Sequence, residues 1–216
     1  GTVEGPVAAM SGNLTRVDCR DTRVSVRFGM YGVPDIPRTR FTFDVASLET
    51  NEADVAFILG DIAGRTLQPT DAERLRRMGR ISFTGRFDGL FRDFAASGRL
   101  GMDQGNVNLK LNFKSLQART AGFSGEVRTD GFDLGSLLQV PKLGRFTLSA
   151  GVTGSYGGGM LKLKTKADLP RIYYNGYDYH DIELNGEFDN RSFLGAIQSK
   201  DENLSFDFDG QLAFND

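Results

Sequence analysis

Tryptophan is absent from this chain, and cysteine and histidine occur once each, as Cys19 and His180. A lone cysteine excludes an intrachain disulfide framework and any CxxC pair. A lone histidine excludes the HExxH helix of a metalloprotease. No GxSxG elbow and no GxxxxGK[ST] phosphate loop occurs anywhere. No stretch approaches the roughly 18 apolar residues that cross a bilayer as a helix. The formal net charge of −2 over 216 residues gives no electrostatic footprint for nucleic acid. No signal peptide is visible. The opening "GTVEG" already reads as strand, so the expectation is a single segment, 1–216, of a longer protein. Sub-units 1–66 and 67–216 are its possible division.

What is abundant is alternation of apolar and polar residues, the mark of half-buried strands. "RVSVRF" opposes Val24, Val26 and Phe28 to Arg23, Ser25 and Arg27. "RFTFDV" repeats the pattern with Phe41, Phe43 and Val45. "VNLKLNFK" sets Val107, Leu109, Leu111 and Phe113 against Asn108, Lys110, Asn112 and Lys114. "MLKLKTKA" sets Leu161, Leu163 and Thr165 against three lysines, and "NLSFDFDGQLAF" aligns Leu204, Phe206, Phe208, Leu212 and Phe214. The pattern predicts an all-β antiparallel sheet with one apolar and one solvated face. Helical signals are short. Thr70 and Glu73 read as a capping box stopped by Gly79, with Leu75 and Met78 facing the sheet. "TNEADVAFILG" is capped by Thr50 or Asn51 and ended by Gly60, and one turn follows Asp133.

Glycine is plentiful, at 27 residues, and much of it is patterned. A word of apolar, small polar, Gly, polar, apolar recurs seven times: Met10/Gly12/Leu14, Phe83/Gly85/Phe87, Ala96/Gly98/Leu100, Phe123/Gly125/Val127, Val152/Gly154/Tyr156, Leu184/Gly186/Phe188 and Phe208/Gly210/Leu212. Positions i, i+2 and i+4 of a strand share a face, so each glycine leaves a gap on the apolar side. Repeated gaps fit either a sheet that curls toward that side or glycines that loosen turns, as in any β protein.

Candidate chemical sites are sparse. "GSYGGG" at 154–159 lacks a following helix and reads as a hairpin tip rather than a phosphate cradle. Asp178, His180 and Asp181 could ligate a metal, but no second cluster lies near, so a solvated strand end is the better reading. "FDFDG" lacks the distant bidentate Glu of a calcium loop. Arg74, Arg76, Arg77 and Arg80 form a basic helix face, either solvated or set for anionic lipid head groups. In "YYNGYDYH", Asn175-Gly176 predicts a type I′ hairpin pairing Tyr174 with Tyr177. Counting by twos then puts the tyrosines and Ile182 on opposite faces. A β-bulge near His180-Asp181 is therefore expected, returning the tyrosines to the apolar side.

The apolar stripe fits either an ordinary closed core or an open groove, and periodicity alone leaves both open. At this point the chain resembles a known family. "FSGEVRTDGFDLGSLLQVPKLGRFTLSAGVTG", "YYNGYDYHDIELNGEF" and "DENLSFDFDGQLAF" resemble the TamB/AsmA-like bacterial envelope proteins, in the form found in Bacteroidota. Upstream, "GVPDIPRTRFTFDVASLETNEADVAFI" and "MGRISFTGRFDGLFRDFAASGRLGMDQGNVNLKLNF" resemble the same family in the same order. The resemblance implies a curled antiparallel sheet, a taco-like repeating β-groove with two or three short helices. It implies a periplasmic segment of a protein anchored in the inner membrane of a Gram-negative bacterium, with an outer-membrane assembly partner. The implied function is passive transfer of phospholipid acyl chains, without catalysis, metal or cofactor. The alternatives are a platform binding nascent outer-membrane proteins by strand addition, or a spacer with a closed core. Expected groove residues are Val107, Leu109, Leu111, Phe113, Phe146, Leu148, Leu161, Leu163, Ile182, Leu184, Phe206 and Phe208. Tyr174, Tyr177 and Tyr179 are expected at the rim, where amphipathic rings suit a boundary between lipid and water.

Overall fold

A computed structural model describes residues 1–57, 69–115, 120–190 and 192–213; for 69–71 only the backbone is described. Among the described residues the fold is all-β, with thirteen strands in antiparallel meander order and three short helices. The chain packs as two units, Gly1–Asn106 and Val107–Asp216.

The first unit holds β1 (Thr2–Glu4), β2 (Ala9–Cys19), β3 (Thr22–Tyr31), β4 (Arg40–Thr50), β5 (Ile81–Leu90) and β6 (Asp93–Met102). Directly opposed residues share a face, and the register lines up Gly12, Phe28, Phe43, Phe87 and Ala96 across five strands. The next row is Leu14, Val26, Val45, Gly85 and Gly98. Phe41, Val45, Ile81, Phe83 and Ala96 form the buried core. The other face carries charges: Arg86 reaches Asp44 at 3.4 Å, and Arg40 reaches Asp88 at 2.8 Å.

Helices α1 (Glu52–Phe57) and α2 (Pro69–Met78) pack on one another. Asn51 caps α1, its Oδ1 accepting from the Asp54 N–H at 2.9 Å. Asp54 is buried, accepts from the Thr22 hydroxyl at 2.7 Å and lies 3.3 Å from Arg20, tying the helix to the β2–β3 turn. Gly79 ends α2 at φ +67°, as expected of a C-terminal stop. Leu75 and Met78 are half-buried. The cap expected at Thr70 is corrected, because α2 already includes Pro69 and Thr70. Proline suits a first helical turn, where its missing N–H costs no hydrogen bond. The Thr70 side chain and the stop expected at Gly60 lie outside the described residues.

The second unit holds β7 (Gly105–Ser115) from Val107 onward, β8 (Ala121–Asp133), β9 (Leu143–Gly157), β10 (Met160–Tyr174), β11 (Tyr177–Asp189), β12 (Ser192–Lys200) and β13 (Ser205–Ala213). Helix α3 (Leu134–Leu138) is the single turn expected after Asp133, whose carboxylate accepts from the Ser136 N–H at 3.0 Å. Gly158 and Gly159, at φ +59° and +77°, form the tip of the β9–β10 hairpin as expected.

Neither unit closes on itself or curls strongly; strand contacts run between sequence neighbours. The expected taco-like curl is corrected, and the glycines give the physical reason. A Cβ added at Gly12 would meet the Phe28 ring at 2.7 Å, at Gly85 the Phe83 ring at 2.8 Å, and at Gly154 the Phe123 ring at 2.9 Å. At Gly186 it would collide with the Phe193 ring. Aromatic rings of the apolar face thus lie over the glycines and fill the gaps, which then need no curvature to close them.

Candidate functional site

The second unit's apolar face is built from rows that the strand register fixes. One row is Leu109, Val127, Ala150, Ala167, Leu184, Ile197 and Phe208. The next is Leu111, Gly125, Val152, Thr165, Gly186, Gly195 and Gly210, followed by Phe113, Phe123, Gly154, Leu163, Phe188, Phe193 and Leu212. No row contains an ionisable side chain. Thr165 is the one hydrogen-bonding side chain in these rows, and its hydroxyl donates to the Gly151 carbonyl at 2.9 Å. With strands roughly 4.8 Å apart, seven of them extend about 29 Å.

Charge lies on the opposite face. Lys164 reaches Glu187 at 3.1 Å, Lys162 reaches Asp189 at 3.8 Å, and Lys200 reaches Glu183 at 3.4 Å. The sorting follows from period-2 alternation, which sends successive side chains to opposite faces.

The twelve expected groove residues fall on this one face. Val107 lies in a row with Thr129 and Leu148, Leu161 opposes Tyr156, and Ile182 aligns with Leu169, Ser199 and Phe206. Phe146 pairs with Phe132 on one side and Ile172 on the other, the two phenylalanine rings meeting edge to face at 5.9 Å. Phe123 and Val127, set on the apolar side by the glycine word, belong to the same face, as do Ala150, Ala167, Phe193 and Ile197, which the sequence pattern did not single out. Phe193 is its most buried member, at 1% exposure. "SFLGAIQSK" has apolar residues at both parities, so alternation does not select a face; Leu194 points to the charged side, opposite Glu187. Phe214 lies outside the described residues.

The stretch Tyr173–His180 forms the expected hairpin. Asn175 and Gly176 have φ +51° and +93°, and Tyr174 opposes Tyr177. The bulge expected between these strands is corrected: the β10–β11 register runs unbroken from Lys162↔Asp189 to Tyr174↔Tyr177. The tyrosines reach the apolar face by another route. Pro170 drops out of the ladder opposite Asp181, whose φ is +54°, so both strands switch parity together. The compensating register shift falls on the β9–β10 side, between Asp168 and Arg171. Tyr179 thereby opposes Ile172 and stands in line with Phe146, while Tyr177 and Tyr179 rings meet at 4.8 Å. The Tyr177 hydroxyl accepts from the Asn203 side chain. Tyr173 takes the other face, where its ring covers Gly144.

The histidine and its acidic neighbours serve the strand ends. Arg171 grips Asp178 through two hydrogen bonds, of 3.0 and 2.5 Å, which holds the Asp178 carboxyl below its ordinary pKa. Asp201 is buried just beyond β12 and accepts the Asn203 and His180 N–H groups, each at 2.8 Å. Its pKa is lowered, first by the Asn203 N–H and then by the His180 contacts. Among the described residues no group of three His, Cys, Asp or Glu side chains converges as a metal site. No described helix is long and apolar enough to cross a membrane. On α2, Glu73 binds Arg76 at 2.5 Å and Arg77 at 3.2 Å, so part of the expected basic face is neutralised locally.

Compared with protein-family models, curated proteins and solved structures, the chain finds no match in any of the three.

Proposed function

We propose that the apolar face of Val107–Asp216 is a shallow trough for phospholipid acyl chains, in an envelope protein of the TamB/AsmA-like kind that the sequence resembles. The observation that carries this reading is the continuity of the face: rows crossing seven strands without a charged side chain. A methylene moved from water onto such a face gains about 0.8 kcal/mol when fully buried. The face supplies no ion pair that would hold a head group at one point, so a bound chain can slide along it. The run of about 29 Å is close to the roughly 30 Å apolar thickness of a bilayer, or twice one leaflet's acyl length. Tyr174, Tyr177 and Tyr179 sit at the hairpin end of the face, with polar tips for the water boundary.

In this reading the segment does no chemistry. It acts in the periplasm as part of an inner-membrane-anchored chain, conducts lipid passively between the two membranes, and so supports outer-membrane assembly.

Solvent extraction of the folded, purified protein after expression in the envelope of a Gram-negative bacterium tests the reading, with mass spectrometry of the extract. Phospholipid is expected from the native chain, and much less from Leu184→Asp, which places a charge mid-row. Leu161→Glu, at a more exposed position, is the milder variant should Leu184→Asp fail to fold. Folded native protein that carries no phospholipid contradicts the proposal.

A further inference from the structure

Two turns of the second unit meet at one end of its strands and hold large apolar side chains in solvent. One follows α3, from Gln139 to Lys142; the other is the Asn175-Gly176 hairpin tip. The Asn175 N–H donates to the Lys142 carbonyl at 2.7 Å, and Tyr174 pairs with Leu143, so the two turns are joined. Both are interior to the unit: β8 and β9 flank the first, β10 and β11 the second. On their outer surface Leu138 is 53% exposed, Val140 41%, Tyr174 46% and Tyr177 37%.

Directly behind these turns, on the charged face, lies a cavity of about 520 Å³ lined by Asp130, Asp133, Arg145, Arg171, Tyr173 and Asp178. Clefts for small ligands run from roughly 300 to 1,000 Å³. Much of the charge here is already used. Arg171 and Asp178 hold one another, and Asp133 accepts from the Ser136 N–H and hydroxyl. Two groups of opposite sign remain open. Arg145 opposes Asp133 across the ladder but makes no hydrogen bond or ion pair among the described residues. Asp130 accepts from the Thr147 hydroxyl, at 3.4 Å.

We propose that this end of the unit docks on the surface of a zwitterionic phospholipid bilayer. Leu138, Val140 and Tyr174 enter the interfacial layer, where tyrosine in particular is favoured. Arg145 binds a head-group phosphate at the cavity, the planar oxyanion-binding geometry that guanidinium supplies, and Asp130 faces the head-group ammonium. A soluble zwitterion would match the two charges but leave Leu138 and Val140 in water. Lys142 and Glu202 lie on the turns either side of the hairpin tip, the second joined to it through Asn203 and Tyr177, and balance one another. Anionic lipid is therefore not required. The docking end lies outside the apolar rows, so this inference does not rest on the lipid trough, and either can fail alone.

The chain has no tryptophan, so a single introduced one reports its own surroundings. Val140→Trp places it at the docking end, and Met160→Trp, at an exposed site on the opposite hairpin, serves as the control. Each folded protein is titrated with vesicles of phosphatidylcholine and phosphatidylethanolamine carrying brominated acyl chains. Fluorescence at 140 is expected to shift to the blue and be quenched, with no change at 160. In the Val140→Trp background, Leu138→Asp/Tyr174→Ser should weaken vesicle binding by about tenfold and Arg145→Gln by about threefold. All three side chains are exposed, so the fold should persist, as circular dichroism would verify. No quenching at 140, or equal quenching at 140 and 160, overturns the proposal. Undiminished binding by the double variant or by Arg145→Gln does so too.

Discussion

Gly186 and Phe193 illustrate how single positions set the character of this sheet. Gly186 stands between Thr165 and Gly195 in its row, and the Phe193 ring occupies the space its missing side chain leaves. The two residues are therefore one packing unit. Gly186→Ala forces the ring or the backbone to move, and overpacking of this kind costs about 1–3 kcal/mol. Phe193→Ala removes the most buried large side chain and is expected to cost about 3–5 kcal/mol. The double variant should cost less than the sum, because the alanine at 186 is then relieved of the ring and meets only the Leu194 carbonyl, 2.6 Å from its Cβ. Urea denaturation of the four proteins measures this. Strict additivity would show that the Leu194 carbonyl, not the Phe193 ring, is what requires glycine at 186. The glycine word was legible in the sequence as a periodic gap. What was not legible was its filler, because the covering ring comes from within the strand at Gly85 and from the neighbouring strand at Gly12, Gly154 and Gly186.

At the scale of the strand, the paired switch at Pro170 and Asp181 decides which face the tyrosines take. Asp181 holds a left-handed conformation at φ +54°, which glycine adopts freely, Asp and Asn tolerate, and a β-branched residue resists. Asp181→Val is expected to destabilise the chain by about 1–2 kcal/mol, with Asp181→Gly close to neutral, in the same denaturation assay. Equal stability of the two variants would mean that the switch does not depend on this dihedral. The sequence disclosed the parity conflict between Tyr179 and Ile182, and hence the need for an irregularity. It did not disclose which ladder absorbs it. The signal available was Pro170, which cannot donate to a sheet and so marks the break within β10. β7 was legible from Val107 to Lys114, where asparagine and lysine alternate with apolar residues without exception, and β10 from Leu161 to Lys166, where lysine alternates with Leu161, Leu163 and Thr165. β12 was not, since its apolar residues occupy both parities.

For the molecule as a whole, the central proposal is a division of labour between faces, in which one face of the second unit would meet lipid and the other water. All twelve groove residues named from sequence fall on the first face, because alternation and strand pairing together leave them no other place. Of the members not singled out, Ala150 and Ala167 are too small to mark a face by alternation, and Phe193 and Ile197 lie in a strand with apolar residues at both parities. Site-specific photo-crosslinking tests the claim most directly. A benzophenone side chain is placed either at Leu184, on the apolar row, or at Glu187, on the charged face of the same strand. Each folded protein is illuminated with vesicles of phosphatidylethanolamine and phosphatidylglycerol. Phospholipid adducts at 184 and none at 187 are the predicted result. Equal labelling at the two positions, or labelling at 187 alone, would contradict it.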